Sequence, residues 1–135
     1  MTARETLGLC LAVGLGSLVG GVARAAVSLA ALAWLGSGFP WGTLAVNLLG
    51  SLAIGFYAGL TGPNGRIEVG LRQRQFVMAG FCGGFTTFSA FSLEILQLLQ
   101  GQRHAAAGLY IVLSLAAWLA AVWLGDRLGR RPPPA

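Results

Sequence analysis

The chain contains no lysine, and nine arginines with four acids make only 10% of its 135 residues charged. A soluble globular domain carries roughly 25%, so an ordinary water-facing surface is excluded. Histidine occurs once, at His104, which leaves no His-based dyad or triad inside a membrane and no His/Cys metal cluster. The two cysteines, Cys10 and Cys82, both sit in apolar runs, which excludes a disulfide scaffold and reads them as small buried apolar residues. There is no Gly-x-x-x-x-Gly-Lys-Ser/Thr phosphate loop. Ser and Thr are plentiful, but an intramembrane hydrolase built on them would lack a base. The chain does not read as an enzyme.

What is present is apolar surface: 56% hydrophobic residues, with a mean hydropathy of +0.73. That excludes intrinsic disorder. Glycine numbers 21, about twice its usual share, which points to closely approaching backbones rather than a coiled coil. The remaining class is an all-α integral membrane protein of one domain, 1–135. A crossing needs about 20 helical residues, and four stretches qualify, near 7–34, 39–60, 76–99 and 105–125. Two connections are short, Gly36 to Gly38 and Gly101 to His104. The third, Thr61 to Gln75, is aqueous and opens on Thr-Gly-Pro-Asn-Gly. Short loops predict an up-down four-helix bundle. The tail 126–135, ending Arg-Arg-Pro-Pro-Pro-Ala, reads as disordered. Ala23-Arg24-Ala25 imitates a signal cleavage site, but the apolar run before it is longer than a signal core, so no cleavage is expected.

Flanking arginine sets orientation. One side holds Arg4, Arg66, Arg72, Arg74, Arg127, Arg130 and Arg131, and the other only Arg103, which places both termini in the cytoplasm. These arginines are split between membrane flanks, with no groove-sized patch, so lipid headgroups rather than nucleic acid are the expected counter-ions.

Polar groups at membrane depth are costly, so their positions carry information. Thr43, Asn47 and Ser51 recur every four residues and share a helix face. They serve either as interhelical glue or as donors, and Asn47 offers two N–H groups. In Gly80-Phe81-Cys82-Gly83-Gly84-Phe85-Thr86-Thr87-Phe88-Ser89-Ala90-Phe91-Ser92, a Gly pair and a Thr pair make poor helix material. A helix broken there releases backbone groups, tolerated only against protein or a hydrated cavity, and released carbonyls form a cation site. The other reading is an unbroken helix with Gly80 and Gly84 as a packing pair. Phe85, Phe88 and Phe91, three apart, form either a packing stripe or ring edges, whose positive rim receives an anion. Tyr110 and Ser114, one turn apart, supply further hydroxyls. Arg24 either attracts anions, snorkels or pairs with Glu94. Glu94 is either a helix-end carboxylate or part of a pore. Neutral donors outnumber carboxylates, which favours a small anion over a cation. Four helices fill their own middle, so permeation requires an oligomer.

Three motifs now point to a family. Gly20-Gly21-Val22-Ala23-Arg24, the second-span run from Gly42 to Ser51 and the third-span run from Gly80 to Ser92 together resemble the small bacterial fluoride channels known as Fluc or CrcB. The resemblance implies an antiparallel, dual-topology homodimer in the cell (inner) membrane, with two fluoride pores that export fluoride passively and confer resistance to it. It makes Asn47 a donor to fluoride, with Phe88 and Phe91 presenting ring edges. Thr43, Tyr110 and Ser114 become further pore positions. A structural, non-permeating sodium ion would sit on the main-chain oxygens of Gly83 and Thr86 from both protomers. Arg24 would lie in a vestibule or near the interface, and Glu94 matches a third-span acidic position. The seven-to-one arginine bias departs from dual topology, so a related chain of opposite bias is a second possible partner. Two other readings compete: a small multidrug-type proton-coupled antiporter, which should carry a carboxylate where the first span has Arg24, and a non-transporting assembly subunit.

Overall fold

A computed structural model of the protein describes residues 2–63 and 65–130. Helix α1 spans Ala3–Leu35 and α2 spans Trp41–Thr61. A helical stretch then runs through α3 (Leu71–Gln75), a π-helical segment (Phe76–Cys82) and the short α4 (Gly83–Phe85). Helix α5 resumes at Phe88–Gln100, and α6 covers His104–Gly129. Four helical segments are long and apolar enough to cross a membrane: Ala3–Leu35, Trp41–Thr61, Leu71–Gln100 and His104–Gly129.

These bounds revise the expected ones in three places. The first span begins at Ala3 because Thr2 and Glu5 form a reciprocal capping box, Thr2 N–H to Glu5 Oε2 at 2.7 Å and Glu5 N–H to Thr2 Oγ1 at 3.3 Å. At 33 residues it is about 50 Å long, well beyond the hydrocarbon layer. The expected aqueous connection is shorter than Thr61 to Gln75, since helix begins at Leu71. The last span continues to Gly129, so the first four residues of the expected tail are helical. Residues 131–135 of that tail, including Arg131, lie outside the described residues.

Helices adjacent in sequence are not the most intimate pairs. The tightest seams join segments that run in the same direction. Along α1, Gly16 faces the backbone of Phe76 and Gly80, and Gly20 faces that of Phe81 and Phe85, so both numbers rise together. Along α2, Gly55 lies on the Val122 carbonyl and Gly59 on that of Asp126, again in parallel. No β-carbon fits at these positions, which is how the high glycine content is used. Two parallel pairs, placed antiparallel to each other, give the up-down bundle. A core of Phe91, Leu98, Ala107 and Tyr110 joins α5 to α6. By contrast α1 is apolar all round yet buries only Gly16 and Gly20, leaving Leu7, Leu11, Leu15, Leu18 and Val22 exposed. A helix greasy on every side faces lipid or another chain.

Charge is sorted by end. Arg4, Arg66, Arg72, Arg74, Arg127 and Arg130 flank the end that carries the start of α1 and the end of α6, while Arg103 alone flanks the other. Arg66 donates to the carbonyls of Leu128 (3.2 Å) and Arg130 (2.9 Å), tying the central loop to the last turn of α6.

Candidate functional site

The site is built around the interruption in the third crossing. Thr86 and Thr87 have extended backbone (φ −85, ψ 161 and φ −150, ψ 122) between α4 and α5. Just before them lies the seven-residue π stretch, a form that collects at functional sites. The end of the first half is closed by Thr86, whose N–H and hydroxyl both donate to the Cys82 carbonyl at 3.0 and 2.9 Å. The second half is opened by Thr87, whose Oγ1 accepts from Ala90 N–H at 3.2 Å as an N-cap.

Asn47 spans this interruption from α2. Its Nδ2 donates to the Thr87 carbonyl at 2.8 Å, and its Oδ1 accepts from Thr87 N–H at 2.7 Å. The side chain is buried. An amide has two N–H groups, so one remains beyond the Thr87 contact. Asn47 therefore bonds its neighbouring helix with an N–H to spare. Because Thr87 N–H turns to Asn47, the Gly83 carbonyl loses its usual i+4 partner. Gly83 is exposed, with open space where a β-carbon would stand.

One turn before Asn47, Thr43 donates to Glu94 Oε1 at 2.6 Å, and Tyr110 donates to Glu94 Oε2 at 2.8 Å. Thr43 and Tyr110, both expected as pore positions, thus direct their hydroxyl protons at the two oxygens of the Glu94 carboxyl group. Glu94 is neither a bare helix-end group nor an ion-pair partner of Arg24, but a clasp joining α2, α5 and α6. Arg24 instead donates to the Thr86 carbonyl at 3.4 Å, a long contact, and lines a 460 Å³ cleft with Ser28, Thr43, Thr87 and Ser89.

The phenylalanines divide. The expected three-residue stripe does not form, because the interruption separates Phe85 from the others. Phe85 is buried and stacks on Phe81 at 5.7 Å. Phe91 is buried between Tyr110 and Trp118, edge-on to each at centroid distances of 5.0 and 4.8 Å. Phe88 is 70% exposed. It lines a 280 Å³ cleft whose walls include Asn47, Ser51, Gly83, Thr86, Thr87 and Trp118. Ser114 is fully buried and its hydroxyl has no partner. The clasp at Glu94 and the place of Trp118 were not foreseen. The i,i+4 spacing of Tyr110, Ser114 and Trp118 was the signal for the latter.

Residues 11–126 match the family described as CrcB-like protein, Camphor Resistance (CrcB). The chain belongs to the CrcB family. Among its relatives, a "Fluoride-specific ion channel FluC 1" of Rhodopseudomonas palustris is 50% identical over 95% of this chain and 91% of the relative. A second of that name, from Bradyrhizobium diazoefficiens, is 53% identical over 86% of this chain and 80% of its own. "Fluoride-specific ion channel FluC" of Opitutus terrae is 50% identical over 88% and 90%. A CrcB-family chain with four apolar crossings is a multi-pass membrane protein.

Proposed function

We propose that this CrcB-family chain is the protomer of a fluoride-selective channel of the bacterial inner membrane, which exports fluoride passively and is not an enzyme. The observation that carries the reading is Asn47: a buried neutral amide fixed at the interruption of a membrane helix, with one N–H beyond its structural bonds. Neutral donors replace the hydration of a small hard anion without holding it as a full charge would. Fluoride that enters as the neutral acid dissociates inside, and an electrically negative interior drives the anion out through a simple leak.

The pore forms where two antiparallel copies meet, with the interruption at mid-membrane depth. Phe88 supports this, since an aromatic ring 70% exposed beside the open backbone at Gly83 calls for a covering chain. In that assembly Asn47, Ser114 and the Phe88 rim contact the ion, while Phe91 positions Tyr110 and Trp118 from within the chain. Thr43 and Tyr110 reach an anion only by leaving Glu94. A sodium ion held by the Gly83 and Thr86 carbonyls of both copies supplies positive charge and a shared ligand set at the centre. The Gly83 oxygen fits this role because its i+4 donor is diverted to Asn47. The Thr86 oxygen fits once Arg24 withdraws its long hydrogen bond.

The partner is a second copy of this chain. One observation favours a related chain of opposite bias instead: the six described arginines at one end against one at the other. Labelling a C-terminal tag from each face of cells expressing only this chain separates the two, since a single-sided result excludes the homodimer. The antiporter reading finds less support, because both Glu94 oxygens are occupied and the first crossing carries Arg24. Fluoride efflux from proteoliposomes with a potassium shunt, repeated with chloride, tests the function. Fast fluoride release with chloride retained is expected, and equal rates or no release refute it.

A further inference from the structure

Three buried side-chain polar atoms among the described residues have no hydrogen-bond partner: Ser114 Oγ, Trp118 Nε1 and Tyr57 OH. Tyrosine and tryptophan usually find a partner for these groups when buried, and in a membrane no bulk water makes up the loss. All three lie on the parallel pair α2 and α6.

Their heights follow from that pairing. Gly55 meets Val122 and Gly59 meets Asp126, and the same offset sets Asn47 level with Ser114 and Ser51 level with Trp118. It also sets Thr43 level with Tyr110, and those two do share Glu94. Tyr57 stands about 9 Å beyond Trp118 along the axis, toward the end that carries the arginines. Around α2, helical periodicity returns Tyr57 to the stripe of Thr43, Asn47 and Ile54. Ile54, Trp118 and Asn47 already line one cleft. The unpaired donors thus continue from Asn47 in one direction, at successive depths.

The chemistry of the missing partner is narrow. An indole N–H donates and cannot accept, and a phenol O–H donates well. A cation finds nothing on the indole nitrogen, so an acceptor must fill the place.

We propose that Trp118 Nε1–H and Tyr57 O–H extend the donor row of Asn47 and Ser114 and pass a small anion between that level and the arginine-bearing end. The proposal rests on the channel reading above. Its test uses the full-length protein in proteoliposomes loaded with fluoride. Tyr57→Phe removes one hydroxyl and no packing. Replacing Trp118 by benzothienylalanine exchanges N–H for sulfur at nearly constant shape. Each change is expected to slow fluoride release about tenfold, the kinetic equivalent of one lost hydrogen bond to a charged species, with thermal stability unchanged or raised. A merely structural orphan gives the stability result without the slowing. Wild-type release with both variants at the wild-type rate overturns the donor row alone. No release from wild type overturns the channel reading and this one together. Should the Trp118 variant fail to assemble, Tyr57→Phe decides.

Discussion

Asn47 has two duties that a pair of substitutions separates. It satisfies both backbone groups of Thr87, at 2.7 and 2.8 Å, and in the proposed channel its remaining N–H serves the ion. Asn47→Ala strands a half-buried donor and a half-buried acceptor, where full burial costs about 1–3 kcal/mol each, so a total loss of roughly 1–3 kcal/mol is expected. Asn47→Asp behaves differently. When protonated, the introduced carboxyl donates its O–H to the Thr87 carbonyl and accepts Thr87 N–H on its other oxygen, restoring both bonds. When ionised it turns an oxygen against that carbonyl and places negative charge in the path. Stability of Asn47→Asp should therefore approach wild type at acid pH and fall as pH rises, whereas Asn47→Ala stays low throughout. Fluoride release should be lost in both at every pH, since neither supplies the remaining N–H. Thermal unfolding in detergent across pH, paired with liposome efflux, reads the two duties independently. Wild-type stability in Asn47→Ala would refute the bridging role. Normal efflux from a well-folded Asn47→Asp would refute the donor role.

Phe88→Ile should slow fluoride release by orders of magnitude while leaving thermal stability near wild type, because its ring is mostly outside the chain's own packing. Phe91→Ile should lower stability as well, by about 1–3 kcal/mol, since it loses edge contacts with Tyr110 and Trp118. Equal stability effects would contradict the division between the two rings. Gly55→Leu should abolish assembled protein on size-exclusion chromatography, as its β-carbon has no room against the Val122 carbonyl, and normal yield would contradict the α2/α6 seam. Exchanging sodium for a bulky organic cation should reduce fluoride flux, and unchanged flux after exhaustive sodium removal would count against the Gly83/Thr86 site.

The crossings were legible in the sequence because twenty-odd apolar residues between turn signals leave few alternatives. Their exact ends were not. Thr2 and Glu5 extend α1 by four residues through a capping box that hydropathy does not register, and Asp126–Gly129 stays helical although it lies beyond the apolar run. The residue types at the site were also legible, Asn47 above all, but their partners were not. Glu94 sits 51 positions from Thr43 and 16 from Tyr110 in the chain, and nothing local couples them. Only the parallel α2/α6 register, fixed by glycine contacts, brings those hydroxyls to one carboxylate. The phenylalanine stripe failed for a related reason. A three-residue spacing keeps one face only while the helix persists, and two extended threonines after Phe85 reset it.

That reset explains why an amide is needed at residue 47. Ending one helix and starting another within a membrane exposes backbone N–H and C=O groups that lipid cannot satisfy. Thr86 satisfies the first half locally, through Cys82, and Thr87 caps the second half through Ala90. What remains is the Thr87 peptide itself, one donor and one acceptor pointing toward α2. A hydroxyl is too short-handed to serve both while keeping a proton for an ion, and a carboxylate can only accept. An amide bonds both and retains an N–H. In the proposed channel the group that holds the interruption open is therefore also the one that receives the anion there, which would tie the irregular backbone to conduction through a single side chain.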